Sequence, residues 1–144
     1  MTGSTGLGFT GKPGEGLTVG PVPVHLEAMA RCTLSVSDPG YERNIHTDPE
    51  VARRYGFEQP IAEARLWTTL LSGLLGGALG PAWLSGGTLA VAFLKLVLPG
   101  DQITAHAVVT ASKPDPDGKR LDFEVWCVNQ REEKVATGTA SCLV

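Results

Sequence analysis

No charged residue occurs between Arg65 and Lys95, and this uncharged stretch limits how the chain can fold. Its longest segment without proline, residues 66–80, is interrupted by glycines and falls short of the roughly 20 apolar residues that a membrane span needs. Apolar residues recur every three or four positions from Ile61 to Ala78, and further apolar residues fill the other sides. The stretch therefore predicts a long helix buried inside a domain rather than a membrane span.

The length of the chain suits one domain with a proper core. Its 144 residues include 12 basic and 15 acidic ones, which gives a formal net charge of -3. No basic stripe is available to bind phosphates, so nucleic acid is not expected as a partner. The sequence predicts a flexible, glycine-rich lead-in over residues 1–20 and a single domain over residues 21–144.

The glycines and cysteines form no ligand motif. Gly6, Gly8 and Gly11 match GxGxxG, but no strand precedes them and no helical pattern follows, so phosphate binding is not predicted. The three cysteines lack metal-binding spacing, which argues against a zinc site or a disulfide framework. The N-terminus also lacks the basic and apolar regions of a secretory signal. We expect a cytoplasmic protein without a metal or a redox cofactor.

Local signals delimit two helices before the long one. Apolar spacing predicts a short helix over residues 24–32, with a strand through residues 32–36 as the alternative. Asp48 precedes a proline and a glutamate, a sequence typical of a helix start, and predicts a helix over residues 49–55. This capping role alone explains why an aspartate stands at position 48.

Beyond residue 80 the apolar period changes from 3.6 to 2, which predicts antiparallel strands. The expected strands cover residues 88–98, 103–112, 121–127 and 135–144, the first of them central in the sheet. The predicted fold class is α+β, with a curved antiparallel sheet wrapped around the long helix. Because one sheet of this size cannot cover the helix on all sides, a second copy of the chain is expected to form a dimer with it.

Four segments carry a resemblance to a known family. They are IHTD at residues 45–48, ARRYGF at 52–57, PIAEA at 60–64 and FLKLVLPGD at 93–101. Their order and spacing resemble the MaoC-like dehydratases and (R)-specific enoyl-CoA hydratases over about residues 24–144. The resemblance implies the hot-dog fold, a homodimer or paired double domain, and reversible addition of water to an enoyl thioester on coenzyme A or a carrier protein.

The resemblance also assigns site residues. In that family a loop motif, Asp-x-Asn-Pro-Ile/Leu-His, supplies an aspartate and a histidine, and an amide at the start of the central helix binds the thioester oxygen. His46 matches the histidine, and the amide of Ala64 matches the oxygen-binding donor. Three positions depart from the motif: Tyr41 stands in place of the aspartate, Arg43 in place of the asparagine and Asn44 in place of the proline.

Several residues are candidates for the role of the missing aspartate. Asp38 takes its place if the loop carries an insertion, and Glu63 offers a second carboxylate at the helix entry. Tyr41 and Asn44 form another alternative, as a proton donor and an oxygen anchor.

The start of the long helix is expected to contact the substrate. Besides the Ala64 amide, the candidates are Arg65 and, one turn into the helix, Trp67 as a wall of the acyl tunnel. Glu63 and Arg65 are two residues apart, and on a helix such residues do not share a face, so no ion pair between them is required.

These residues support three functional hypotheses. The retained histidine and amide favour a hydro-lyase with His46 as acid and base. The departures from the motif favour an isomerisation or cyclisation of a polyketide-like intermediate on the same fold. A non-catalytic subunit of a heterodimeric dehydratase is the third hypothesis.

Overall fold

The computed structural model describes residues 8–34 and 42–144. In chain order the elements of this part are β1 (Gly16–Pro23), α1 (Leu26–Leu34), α2 (Pro49–Arg54), α3 (Arg65–Leu79), α4 (Pro81–Gly86), β2 (Thr88–Phe93), β3 (Gln102–Asp115), β4 (Gly118–Val128) and β5 (Lys134–Leu143). The three predicted helices are confirmed as α1, α2 and α3. The short helix α4 was not predicted from the sequence.

The five strands form one antiparallel sheet in the order β1-β3-β4-β5-β2. The longest ladder joins β3 to β4, from the pair Thr104 and Val128 to the pair Asp115 and Gly118. The helix α3 packs on one face of the sheet, which confirms the predicted α+β class with a central helix against an antiparallel sheet.

The buried side of α3 holds the helix to the sheet. Trp67, Leu71 and Leu75 recur along this side and are almost completely buried. They belong to one apolar cluster with the inward-facing residues of the central strands, Ala105, Ala107, Val109, Phe123 and Val125. Burying a large apolar side chain contributes about 1.5–3 kcal/mol. This packing offsets the low helix propensity of the glycines in α3.

The prediction of a flexible lead-in is wrong for residues 8–20. Phe9 is buried and stacks on Phe123 with ring centroids 6.3 Å apart. The Glu15 carboxylate accepts hydrogen bonds from the Thr10 and Lys12 amides and fixes the intervening loop. The strand β1 follows directly and pairs with β3. Its glycines and prolines hide the alternation that normally identifies a strand.

The prediction of a central strand over residues 88–98 is also wrong. The strand β2 ends at Phe93 and lies at the edge of the sheet, paired with β5 alone. The chain then leaves the sheet, and Phe93, Leu94 and Leu96 are 50%, 53% and 58% exposed. The apolar composition of this segment therefore reflects an exposed apolar surface and not burial on two faces.

Among the described residues, no helix is both long enough and apolar enough to cross a membrane. The helix α3, which contains most of the uncharged stretch, is 15 residues long.

Candidate functional site

His46 lies in the loop before α2, and its ring is fixed by a main-chain group. The Nδ1 atom is 2.8 Å from the carbonyl oxygen of Ile61. A carbonyl only accepts hydrogen bonds, so Nδ1 carries the proton, and in the neutral ring Nε2 keeps a free lone pair. Because the Nδ1 bond persists when the ring is protonated, the imidazole can exchange a proton at Nε2 without reorienting.

The backbone of His46 is held by the side chain of Asn44. Its Oδ1 atom accepts a hydrogen bond from the His46 amide at 2.8 Å. The Asn44 carbonyl accepts from the amides of Thr47 and Asp48, and the Thr47 hydroxyl donates to the Glu42 carbonyl at 2.6 Å. These short-range bonds form a turn that presents His46. The Asn44 side chain thus contacts the backbone of His46.

Asp48 caps α2, as predicted. Its carboxylate accepts from the amides of Glu50 and Val51 at 2.8 and 3.2 Å. Arg43 donates to the same carboxylate at 2.5 Å and also pairs with Glu50. The bond from Arg43, together with those from the two amides, lowers the pKa of Asp48. Arg43, one of the three motif departures, is therefore engaged at the start of α2.

The segment that leads into α3 passes beside the His46 ring. The Ile61 amide donates to the Ile45 carbonyl, and the Ala62 amide donates to the Val97 carbonyl. Ala64 is the N-cap of α3, and within the described part of the chain its amide donates no hydrogen bond. A helix start with an uncommitted N–H group suits a developing negative charge.

Glu63 and Arg65 form an ion pair at this entry, with side chains 18% and 47% exposed. The expectation that the two need not pair is corrected by the structure. It assumed helical spacing, whereas α3 begins only at Arg65 and Glu63 precedes it in a non-helical segment. Burial raises the pKa of the Cys32 thiol in α1. The Glu63 carboxylate raises this pKa further and Arg65 lowers it, so both charged groups lie near Cys32.

Trp67 points into the protein. It is 4% exposed and meets Phe93 edge to face, with ring centroids 6.2 Å apart. Its ring borders a small cavity of about 110 Å³ between α3, β1 and β3. Contact between Trp67 and an acyl chain stays a prediction.

Two open grooves flank the exposed side of α3. One, of about 660 Å³, lies between α3 and β1, and the other, of about 680 Å³, lies between α3 and α4. Gly73 lines both grooves, and a Cβ atom added there would have no neighbour within 4 Å. Open space therefore borders the exposed side of α3 on both flanks.

Four of the predicted site residues lie in the two segments that the hydrogen bond from His46 to Ile61 joins: His46 in one, and Glu63, Ala64 and Arg65 in the other. Asn44 lies in the turn before His46 and accepts the hydrogen bond of the His46 amide. The predicted candidates Asp38 and Tyr41 lie outside the described residues. Within residues 8–34 and 42–144, no cluster of histidine, cysteine, aspartate and glutamate could hold a metal ion. The bond from His46 to Ile61 was missed, since nothing in a sequence pairs a ring nitrogen with a carbonyl 15 residues away.

Comparison with known proteins decides the family. A family model described as MaoC like domain matches residues 40–119, more than half of the chain. The chain belongs to the MaoC-like domain family. The predicted resemblance to this family is thereby confirmed.

This MaoC-like protein has a known relative in Aeromonas caviae. An (R)-specific enoyl-CoA hydratase of that organism is 38% identical over 74 residues, which are 49% of this chain and 53% of that enzyme. The match thus spans about half the length of the relative.

Solved structures share the fold of the MaoC-like protein. An (R)-hydratase from A. caviae superposes with a TM-score of 0.75 at 26% identity, over 92% of this chain and 96% of the other. A MaoC-like dehydratase from Rhodospirillum rubrum gives a TM-score of 0.74 at 23% identity, over 92% of each chain. These likenesses confirm the predicted hot-dog fold.

Proposed function

We propose that this MaoC-like protein adds water to, or removes it from, an enoyl or β-hydroxyacyl thioester, with His46 as acid and base. The observation that carries the proposal is the His46 ring, oriented by the Ile61 carbonyl at 2.8 Å beside the entry to α3. A relative named as an enoyl-CoA hydratase supports the substrate class.

The chemistry needs two features of this arrangement. In hydration the water oxygen bonds to the β-carbon, a proton reaches the α-carbon, and negative charge passes through the thioester oxygen. The Nε2 atom of His46 is suited to the proton transfer, which typically contributes 10²–10⁴-fold to the rate. The Ala64 amide is suited to stabilise the enolate oxygen.

The acyl chain is proposed to continue from Ala64 along α3. The helix has 15 residues and, at about 1.5 Å per residue, extends about 22 Å. The open space beside Gly73 leaves its flank accessible. Coenzyme A is the proposed carrier, with a carrier protein as the alternative.

A second candidate is isomerisation or cyclisation of a polyketide-like intermediate. The ion pair between Glu63 and Arg65 favours it, because two charged side chains stand at the entry to the helix. A product with unchanged elemental composition, seen by mass spectrometry, would separate it from hydration.

We also propose that two copies associate. The exposed residue Phe93 ends the edge strand β2, and Leu94 and Leu96 follow it. Both an apolar surface and an unpaired strand edge favour association. Light scattering coupled to size exclusion is expected to give twice the 15.1 kDa chain mass. A monomer at micromolar concentration would contradict this.

The direct test is loss of conjugated-thioester absorbance with crotonyl-CoA and longer enoyl-CoA substrates. We expect turnover by the wild type and a decrease in kcat of about 100-fold or more in His46→Gln. His25→Gln is the matched control, since His25 is exposed and remote from the loop in sequence. No turnover by the wild type with any chain length would remove the hydro-lyase proposal.

A further inference from the structure

We propose that Glu63 is the second acid–base group of this site and that Arg65 is its positioning residue. The inference rests on the proposed hydro-lyase function and names the carboxylate that replaces the aspartate of the family motif. It is argued from the place of Glu63 in the chain between Ile61 and Ala64, from its fixed backbone and from the other roles of the neighbouring carboxylates.

Glu63 lies in the chain between the two groups that the proposed reaction uses. It is two residues after Ile61, whose carbonyl orients the His46 ring, and one residue before Ala64, whose amide faces no acceptor among the described residues. The carboxylate thus originates between the histidine contact and the proposed oxygen-binding amide.

The backbone around Glu63 is fixed on both sides. The Ala62 amide donates to Val97 at 2.8 Å, which ties the segment to the loop after β2. The Glu63 carbonyl accepts from the Leu66 amide at 3.0 Å, which ties it to the first turn of α3. Groups that transfer protons need such rigid support, since small misplacements sharply reduce the rate.

The neighbouring carboxylates have other partners or face solvent. Asp48 caps α2 and pairs with Arg43, while Glu50 pairs with Arg43 and Arg54. Glu58 is exposed. Glu63 is covered to the same degree as Asp48, with 18% against 17% of the side chain exposed, but it lies at the entry to α3 and not at the cap of α2.

Arg65 has the geometry of a positioning residue. Its guanidinium pairs with the Glu63 carboxylate while remaining 47% exposed, so it restrains the carboxylate from the solvent side. Cys32 of α1 lies within electrostatic range of both groups. The ion pair is therefore flanked by α1 as well as by its own segment.

With Glu63 as the base and His46 as the acid, the proposed hydration step is balanced. The Glu63 carboxylate takes a proton from water as the water oxygen bonds to the β-carbon. The electron pair of the double bond moves toward the thioester, and the protonated His46 ring delivers its Nε2 proton to the α-carbon. One water is consumed, and exchange of protons with solvent restores both side chains.

The experiment compares matched variants on the enoyl-CoA that the wild type turns over fastest. Glu63→Gln is expected to lower kcat about 100-fold or more with little change in KM, because the lost contact acts in the transition state. Glu58→Gln makes the same substitution at an exposed position and is expected to keep wild-type kcat. Asp38→Asn is the competing arm, and its loss of kcat is expected to be smaller than that of Glu63→Gln.

The Arg65 variants test positioning. Arg65→Gln is expected to lower kcat about 10-fold, and Arg65→Lys is expected to recover part of that loss because it keeps the cation but not the guanidinium geometry. A guanidinium that only stabilised the fold would change the melting temperature and leave kcat unchanged. That result would overturn the role of Arg65.

The outcomes separate the two proposals. If the wild type is active and Glu63→Gln keeps its kcat, or Asp38→Asn loses more, the inference is overturned and the hydro-lyase function stands. If the wild type turns over no thioester, the function fails and the inference fails with it. Should Glu63→Gln not fold by circular dichroism, Glu63→Asp replaces it, with an intermediate kcat expected and an unchanged kcat overturning the inference.

Discussion

The sheet and the loop around His46 are held together in different ways. The ladder between β3 and β4 continues with one irregularity from Thr104 to Asp115, so many hydrogen bonds together hold each strand in position. In the described part of the loop, His46 is held by a few individual hydrogen bonds, chiefly those to the Asn44 side chain and the Ile61 carbonyl. We therefore expect a substitution in the sheet to change mainly the stability of the fold, and one in the loop to change mainly the orientation of His46.

The largest stability effect is expected in the sheet at Phe123. This ring is 1% exposed and stacks on Phe9. Phe123→Ala is expected to lower the free energy of unfolding by about 3–5 kcal/mol, since it removes apolar contact and leaves a cavity. Denaturant unfolding measures the change. Leu84→Ala, at an 87% exposed position, serves as the control, and an equal loss there would contradict the comparison.

In the loop, Asn44→Ala is expected to reduce activity far more than stability. It removes the acceptor of the His46 amide, so kcat of the wild-type reaction should decrease by about 10-fold to 100-fold. The free energy of unfolding should fall by only about 1 kcal/mol. Asn44→Asp keeps an oxygen acceptor and should lose less. A large stability loss with unchanged kcat would reverse the contrast.

On the exposed flank of α3, Gly73→Leu is expected to separate stability from specificity. A helix interior favours leucine over glycine by up to about 1 kcal/mol, and the site is open. Stability should therefore rise slightly while kcat/KM falls more for long enoyl-CoA substrates than for crotonyl-CoA. Gly87→Ala is the opposite case, since its Cβ would collide with Trp83 and destabilise the fold. An unchanged chain-length profile would argue against binding along α3.

The smallest effect concerns thiol reactivity. Burial raises the pKa of Cys127 to about 12 and also raises that of Cys142, and both thiols lie within the sheet. Cys32, beside the site, is only partly buried. At pH 8 iodoacetamide is expected to label Cys32 first and the sheet cysteines only after unfolding, as mass spectrometry can show. Early labelling of Cys127 would indicate a looser sheet.

Features encoded over a few residues were predictable from the sequence. Asp48 followed by proline identified the start of α2, and the three- and four-residue spacing identified α3. Alternation identified β3 and β4. In each case the sequence signal extends over one helix or one strand, so it can be recognised without knowing which distant residues pack against it.

Features set by distant contacts were not predictable. The place of β2 at the edge depends on pairing across the whole sheet. The burial of Phe9 depends on Phe123, far along the chain. The ion pair of Glu63 with Arg65 depends on where α3 begins, and helix boundaries are the least certain part of a sequence-based assignment.

The hydrogen bond from His46 to a backbone carbonyl also has an evolutionary consequence. A side-chain partner disappears when its codon changes, but every residue at position 61 supplies the same carbonyl oxygen. The orientation of the ring is therefore protected from mutation at its partner. Such a histidine can keep its orientation while the residues around it are replaced. Under the proposed function, a new carboxylate partner can then arise beside a ring that is already oriented.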